Sequence, residues 1–195
     1  MYTTLNKIRE CSPCTAGWGN LLNYLGKIKP DDESLSLLTI LDSDGVYNTL
    51  WCFRAVEGFE KEKLLLAITY AREVEHLMPA ESKKALDVFD RYANGLATQE
   101  EFQIARKAAA DVSYAAWIAA YAAAYANAAD TAVYAAWSAA RAADAAAHAT
   151  EDAARAAADA YVYAYSRTRT RARSAIEDKQ ETQLRELLEK TCTQP

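Results

Sequence analysis

From Ala108 to Ala164 the chain reads AAADVSYAAWIAAYAAAYANAADTAVYAAWSAARAADAAAHATEDAARAAADAYVYA; 31 of these 57 residues are alanine, and none is glycine or proline. Alanine has the highest intrinsic helix propensity, because its side chain loses no rotamer entropy and competes with no backbone hydrogen bond. The stretch is therefore helical, and its single methyls let helix backbones approach closely. Tyr114, Trp117, Tyr121, Tyr125, Tyr134, Trp137, Tyr161 and Tyr163 stud it, and these rings are expected to supply most of the buried area.

Thr98-Gln99-Glu100-Glu101 opens the helix as a capping box, in which the threonine oxygen accepts from the Glu101 amide and the Glu101 carboxylate reaches back. Run straight from there to Tyr165, the helix would be about 100 Å long, whereas a compact domain of this size is about 40 Å across. It must turn back. Without glycine or proline, the cap-forming residues mark the turns: Asn127 with Asp130, and Thr150 with Glu151 and Asp152. Two or three antiparallel helices are expected, with a single dimerising rod as the alternative. Tyr114-Ala-Ala-Trp117 returns as Tyr134-Ala-Ala-Trp137, a short internal repeat. Asn127, Asp130, Arg141, Asp144, His148, Asp152, Arg155 and Asp159 fall at spacings of three and four, interrupted where Tyr134 and Trp137 or Ser138 occupy the same stripe, and form a solvated polar face.

Residues 1–95 read as a string of short helices. One runs from Thr15 to Leu25 and ends at Gly26; the next begins after Pro30 on Asp31, Asp32 and Glu33 and stops at Asp44-Gly45. A third, Val46 to Glu57, buries Leu50, Trp51, Phe53 and Cys52 before Gly58. The fourth spans Glu60 to Leu77 on a stripe of Leu64, Ala67, Ile68, Ala71, Val74 and Met78, closed by Pro79. The fifth runs from Glu81 to Asn94 on Ala85, Val88, Phe89 and Tyr92, with Gly95 as its cap. Ile176, Leu184, Leu187 and Leu188 place one last amphipathic helix in the tail, supported by Glu181 with Arg185 and Glu186 with Lys190. The fold class is all-α: a multi-helix orthogonal or antiparallel bundle with close-packed alanine-rich helices. It divides at 1–95 and 96–195, packed as one unit.

The net charge of −5 and the pI near 5.2 argue against direct nucleic-acid binding, which needs a basic stripe. The alanine tract is crossed by Asp130, Arg141, Asp144, Asp152 and Arg155 and so is no membrane span, and the opening MYTTLNKIRE lacks the apolar run of a signal peptide. A cytoplasmic protein with reduced thiols is expected. Cys11-Ser-Pro-Cys14 has the spacing of a zinc or redox pair but stands alone, so the thiols read as structural and no metal or cofactor is expected. His76 and His148 neighbour no serine or cysteine in a nucleophile motif, and no glycine-rich phosphate loop is present. The acidic neighbourhood of Glu57, Glu60, Glu62, Glu73 and Glu75 is interleaved with Lys61, Lys63 and Arg72 and reads as solvated helix surface.

Tyr161-Val-Tyr163-Ala-Tyr165-Ser-Arg167-Thr-Arg169-Thr-Arg171 departs from helical patterning, because its tyrosines and then its arginines recur at every second residue. On a helix Tyr161 and Tyr165 share a side while Tyr163 points roughly 160° away. At least one ring is left for solvent or a partner, and tyrosine beside arginine is the composition of an interface hot spot. Tyr161, Tyr163, Tyr165, Arg167, Arg169 and Arg171 are the candidate contact residues.

Ile8-Arg9 with Cys14 and Trp18, Leu37-Leu38-Thr39-Ile40-Leu41, Leu50-Trp51-Cys52-Phe53-Arg54-Ala55-Val56, and Arg91-Tyr92-Ala93-Asn94-Gly95-Leu96-Ala97-Thr98 lead into the alanine tract. Together they resemble an alanine-rich helical family of immunity proteins that also occurs in phages and prophages. The chain departs from that pattern by its many tyrosines and few arginine-aspartate pairs. The resemblance implies a non-enzymatic protein-binding inhibitor that neutralises a toxin or effector. The phage association implies an alternative, a counter-defence protein of anti-CRISPR or anti-restriction type that blocks a host nuclease complex. Either way the partner is a protein.

Overall fold

The helix ends read from the sequence fall where local chemistry can satisfy the free amides and carbonyls. In a computed structural model that describes residues 1–125, 140–146, 156 and 169–192, and the side chains of all of these but 116–125 and 169–174, the chain is all-α. The order is β1 (Tyr2–Thr3), α1 (Leu5–Glu10), α2 (Thr15–Tyr24), β2 (Leu35–Ser36), α3 (Leu37–Trp51), α4 (Glu60–Arg72), α5 (Ala80–Ala93), α6 (Gln99–Tyr125) and α7 (Arg169–Cys192). The two short strands, which the sequence does not announce, pair antiparallel with Tyr2 opposite Ser36 and Thr3 opposite Leu35.

Gly26 ends α2 in the left-handed region at φ 65°; its amide donates to Asn23 O at 3.1 Å, and the Lys27 amide donates to Leu22 O at 2.9 Å. Gly95 does the same after α5, with its amide on Tyr92 O at 3.0 Å and the Leu96 amide on Arg91 O at 2.7 Å. The capping box forms as expected: the Glu101 amide donates to Thr98 Oγ1 at 3.1 Å and the Thr98 amide to Glu101 Oε2 at 2.7 Å. That reciprocal pair, chiefly the Thr98 amide, holds the Glu101 carboxyl below its usual range. Replacing Thr98 with alanine is expected to cost about 1 kcal/mol. A urea melt that leaves the midpoint in place would contradict it.

Three boundaries differ from the sequence reading. No helix starts at Asp31: residues 31–34 are not helical, and α3 begins at Leu37, where Ser36 Oγ accepts from the Leu38 amide at 3.2 Å. The Asp31 side chain is committed elsewhere, accepting from the Glu33 amide at 3.2 Å and from Lys27 Nζ at 2.6 Å. Gly45, at φ 73° and ψ −175°, breaks the helix where the sequence places a stop, but the helix that resumes at Val46 ends at Trp51 and passes into a 3-10 turn at Cys52–Ala55 instead of running to Glu57. The fourth helix stops at Arg72, and tighter bonds from the Glu73 amide to Tyr70 O and from the Val74 amide to Ala71 O lead into a 3-10 turn at Glu75–Leu77. Its apolar stripe is unaffected: Leu64, Ala67, Ile68, Ala71, Val74 and Met78 are all buried.

The chain forms two compact units, Met1–Phe59 with Gln180–Pro195, and Glu60–Lys179. The break falls beside Gly58 and Phe59, both at positive φ, and not at residue 95. In the first unit the two strands, α1, α2 and α3 surround Leu5, Ile8, Leu21, Leu37, Ile40 and Leu50, and the C-terminal part of α7 belongs to the same body. The Met1 ammonium donates to Thr191 Oγ1 at 3.0 Å, and Arg185 pairs with Asp42 at 2.7 Å and with Glu181 at 3.2 Å. Leu184 and Leu188 are wholly buried. Trp51 is only half-buried, with the Arg54 guanidinium 5.4 Å from its ring centre.

In the second unit α5 packs on α4 and α6, and the turn between α5 and α6 brings Phe102 to 5.1 Å from Phe89 and 4.5 Å from Tyr92 between ring centres. Ala105 and Ala109 of α6 join this core with Ala142, Ala143, Ala145 and Ala146. Alanine methyls, not only rings, fill it. Tyr114, the one aromatic of the tract with a described side chain, is 66% exposed and carries little of the burial; the side chains of the other seven rings lie outside the described residues. Arg141 is exposed and Asp144 half-buried, in keeping with a polar face there. The proposed turns at Asn127, Asp130, Thr150, Glu151 and Asp152, and the second copy of the repeat at 134–137, lie outside the described residues.

Candidate functional site

The site is built where α1 turns into α2. The Cys11 amide donates to Ile8 O and the Ser12 amide to Arg9 O, and Ser12 then stands in the left-handed region at φ 60°. Pro13 fixes the next step, and Cys14 Sγ accepts from the Gly17 amide at 3.4 Å as the N-cap of α2. Cys11-Ser-Pro-Cys14 thus works as a helix joint, with both thiols free. One turn into α2 stands Trp18, and Leu22 follows four residues later on the same face.

The facing wall comes from the segment after Gly26. Lys27 is clamped by Asp31 and Glu33, both at 2.6 Å, and the Asp31 carbonyl accepts from the Asn6 amide at 3.1 Å, which fastens this lip to α1. Between the clamps lie Ile28, Lys29 and Pro30, which line one recess together with Trp18 and Leu22 of α2. The result is an open cleft of 360 Å³ with Arg9 and Lys29 at its edges, Trp18 and Leu22 along one wall, and Ile28 on the lip. Ile28 is 97% exposed, an unusual position for a large aliphatic side chain.

No carboxylate lines this cleft. Among the described residues neither Arg9 nor Lys29 has an ion-pair partner, in contrast to the doubly paired Lys27 beside them. The first turn of α2 carries no acidic residue either, so the positive end of its backbone dipole adds to the two side-chain charges. The described lining of the cleft therefore carries two cations and no anion, on a chain of net charge −5.

The clamp has a pH signature. Hydrogen bonding from Lys27 holds the Asp31 carboxyl below its ordinary value of 3.8, and the same pair, Asp31 first and then Glu33, raises Lys27. With a depressed folded-state value, Asp31 contributes throughout the range above the unfolded value, and its contribution is lost as pH falls through the folded one. The protection factor of the Asn6 amide, which donates to Asp31 O, is expected to fall only below pH 3.8, and Asp31→Asn should show the lowered protection already at neutral pH. A transition centred near neutrality would contradict the clamp.

Cations, an indole and an aliphatic lip can grip a ligand. A different thiol, Cys192, is pushed up by burial, but hydrogen bonds from the Tyr2 hydroxyl and the Met1 ammonium outweigh this and lower it. In the second unit a shallower apolar recess of 310 Å³ lies between α5 and α6, along Ala85, Val88, Ile104 and Ala105. Among the described residues no group of three or more His, Cys, Asp or Glu side chains is placed to hold a metal ion, and no helix is long and apolar enough to cross a membrane.

Of the contact residues expected from sequence, Tyr161, Tyr163, Tyr165 and Arg167 lie outside the described residues. Arg169 and Arg171 stand in the opening turn of α7, with their side chains likewise outside. The sequence reading missed Ile28 and Lys29 as site residues, and used Arg9 and Trp18 only for the family resemblance. A signal was present: Lys27-Ile28-Lys29-Pro30 isolates one large aliphatic residue between lysines, with no periodic apolar partner.

No protein-family model matches the chain, and no curated protein sequence or solved structure matches it significantly.

Proposed function

We propose that the chain is a non-enzymatic protein-binding inhibitor of the immunity type, which neutralises a toxin or effector in the cytoplasm by stoichiometric contact. The observation that supports this most is the composition of the cleft: an arginine and a tryptophan, two of the residue types enriched at interface hot spots, line it together with a nearly fully exposed isoleucine. The tyrosine and arginine run from Tyr161 to Arg171 has the same chemistry and serves as a second contact. The Arg9 and Trp18 positions, which carry part of the resemblance to immunity proteins, are both in the cleft.

The test is stoichiometry. Titrated with its purified partner, the chain is expected to reach saturation at a fixed ratio, abolish the partner's activity, and release the partner with its mass unchanged on denaturation. Inhibition at a small fraction of the partner's concentration, or recovery of a covalently altered partner, would show turnover and overturn the reading.

A further inference from the structure

Resting on the protein-binding reading, we propose that the cleft between α1, α2 and the 27–30 lip holds an acidic segment of the partner, with carboxylates on either side of an apolar side chain. Arg9 and Lys29 bring two like charges to one open cleft that has no carboxylate among its described lining residues, so an anion that enters it meets attraction from both. Carboxylates are close by in the chain: Asp31 and Glu33 are both hydrogen-bonded to Lys27, and Asp31 also feels the Lys29 charge. Lys29 itself makes no ion-pair contact among the described residues and can take a carboxylate from outside. Trp18, Leu22 and Ile28 line the same cleft and give it an apolar part, and 360 Å³ is room for one large side chain and its flanks rather than for a folded element.

Charge decides between a peptide and a nucleic acid. A polyanionic strand would extend beyond the two cations over exposed Glu10 and Asp32 on a chain of net charge −5, whereas a short acidic segment meets only the local positive field. Arginine also forms paired hydrogen bonds with a carboxylate, which fixes direction as well as attraction.

The experiment uses the full chain and three probes: the peptide acetyl-Glu-Glu-Leu-Glu-Glu-amide, its counterpart with glutamine at every glutamate, and a single-stranded oligonucleotide of about 12 nucleotides. The readout is the indole N–H resonance of Trp18, assigned with Trp18→Phe. The acidic peptide is expected to shift it saturably. Arg9→Gln with Lys29→Gln should weaken that binding about tenfold or more, as should about 0.5 M salt, while Lys61→Gln on the second unit leaves it unchanged. Equal binding of the glutamine peptide would overturn the acidic assignment and leave the protein-binding reading standing. A response to the oligonucleotide without one to the acidic peptide would overturn both. Silence with all three probes would overturn the acidic assignment alone, because the stoichiometric titration tests the inhibitor reading independently.

Discussion

Replacing Phe89 with alanine is expected to destabilise the second unit by about 3 to 5 kcal/mol, the range for deleting a buried aromatic ring. Phe89 has no exposed surface and stacks at a tilt on Phe102, which in turn contacts Tyr92. What makes the upper end of the range apply is its company. Ala85, Ala105, Ala109, Ala142, Ala143 and Ala146 share the same core, and an alanine has no rotamer that can swing into a vacated space. Only the few larger members of the core, such as Met78, Leu86 and Phe102, can lean into the cavity without a helix shift. Since a domain of this size is stable by about 5 to 15 kcal/mol, one substitution removes a large share of the total. Urea unfolding followed by helix signal measures it; a loss below about 1 kcal/mol would mean that the core refills more readily than its small side chains allow.

Replacing Trp18 with alanine should have the largest effect on binding, about 2 kcal/mol or roughly 30-fold in affinity for the partner, with helix content unchanged. Trp18 is half-buried on α2 and lines the cleft wall opposite the lip. Its loss removes the ring against which a partner side chain would pack, and leaves Arg9 and Lys29 to act on a partner that solvent can now reach. Tyr163→Ala with Arg167→Ala, in the segment singled out from sequence, should weaken capture by a smaller factor. Binding of Trp18→Ala within about twofold of the parent protein would remove the cleft from the interface.

The α5–α6 hairpin was legible residue by residue, because its signals are local. Gly95 supplies a left-handed cap, Thr98 and Glu101 exchange hydrogen bonds across three residues, and the Leu64 to Met78 stripe keeps its spacing even where α4 gives way to a 3-10 turn. The segment at Asp31 was misread for the opposite reason. Two aspartates and a glutamate after a proline carry every mark of a helix start, and only the long-range bond from the Asn6 amide and the clamp on Lys27 show why the backbone stays extended there. Tyr114 shows the limit of composition, since a ring in an alanine helix buries itself only if its face of the helix has a neighbour. The cleft was illegible as a site because Arg9, Trp18 and Lys29 belong to three different segments. They converge through a serine, Ser12, in a backbone conformation that usually calls for glycine.

The most direct test places a photo-crosslinking amino acid at Ile28 in the full chain and, as a control, at Ile104, which is 64% exposed on α6. With the partner present, the account predicts a one-to-one protein adduct from Ile28, mapped to an acidic stretch of the partner and lost in the Arg9→Gln/Lys29→Gln background, and none from Ile104. A partner that still co-purifies but crosslinks only from Ile104, or an Ile28 adduct that proves to be nucleic acid, would contradict it.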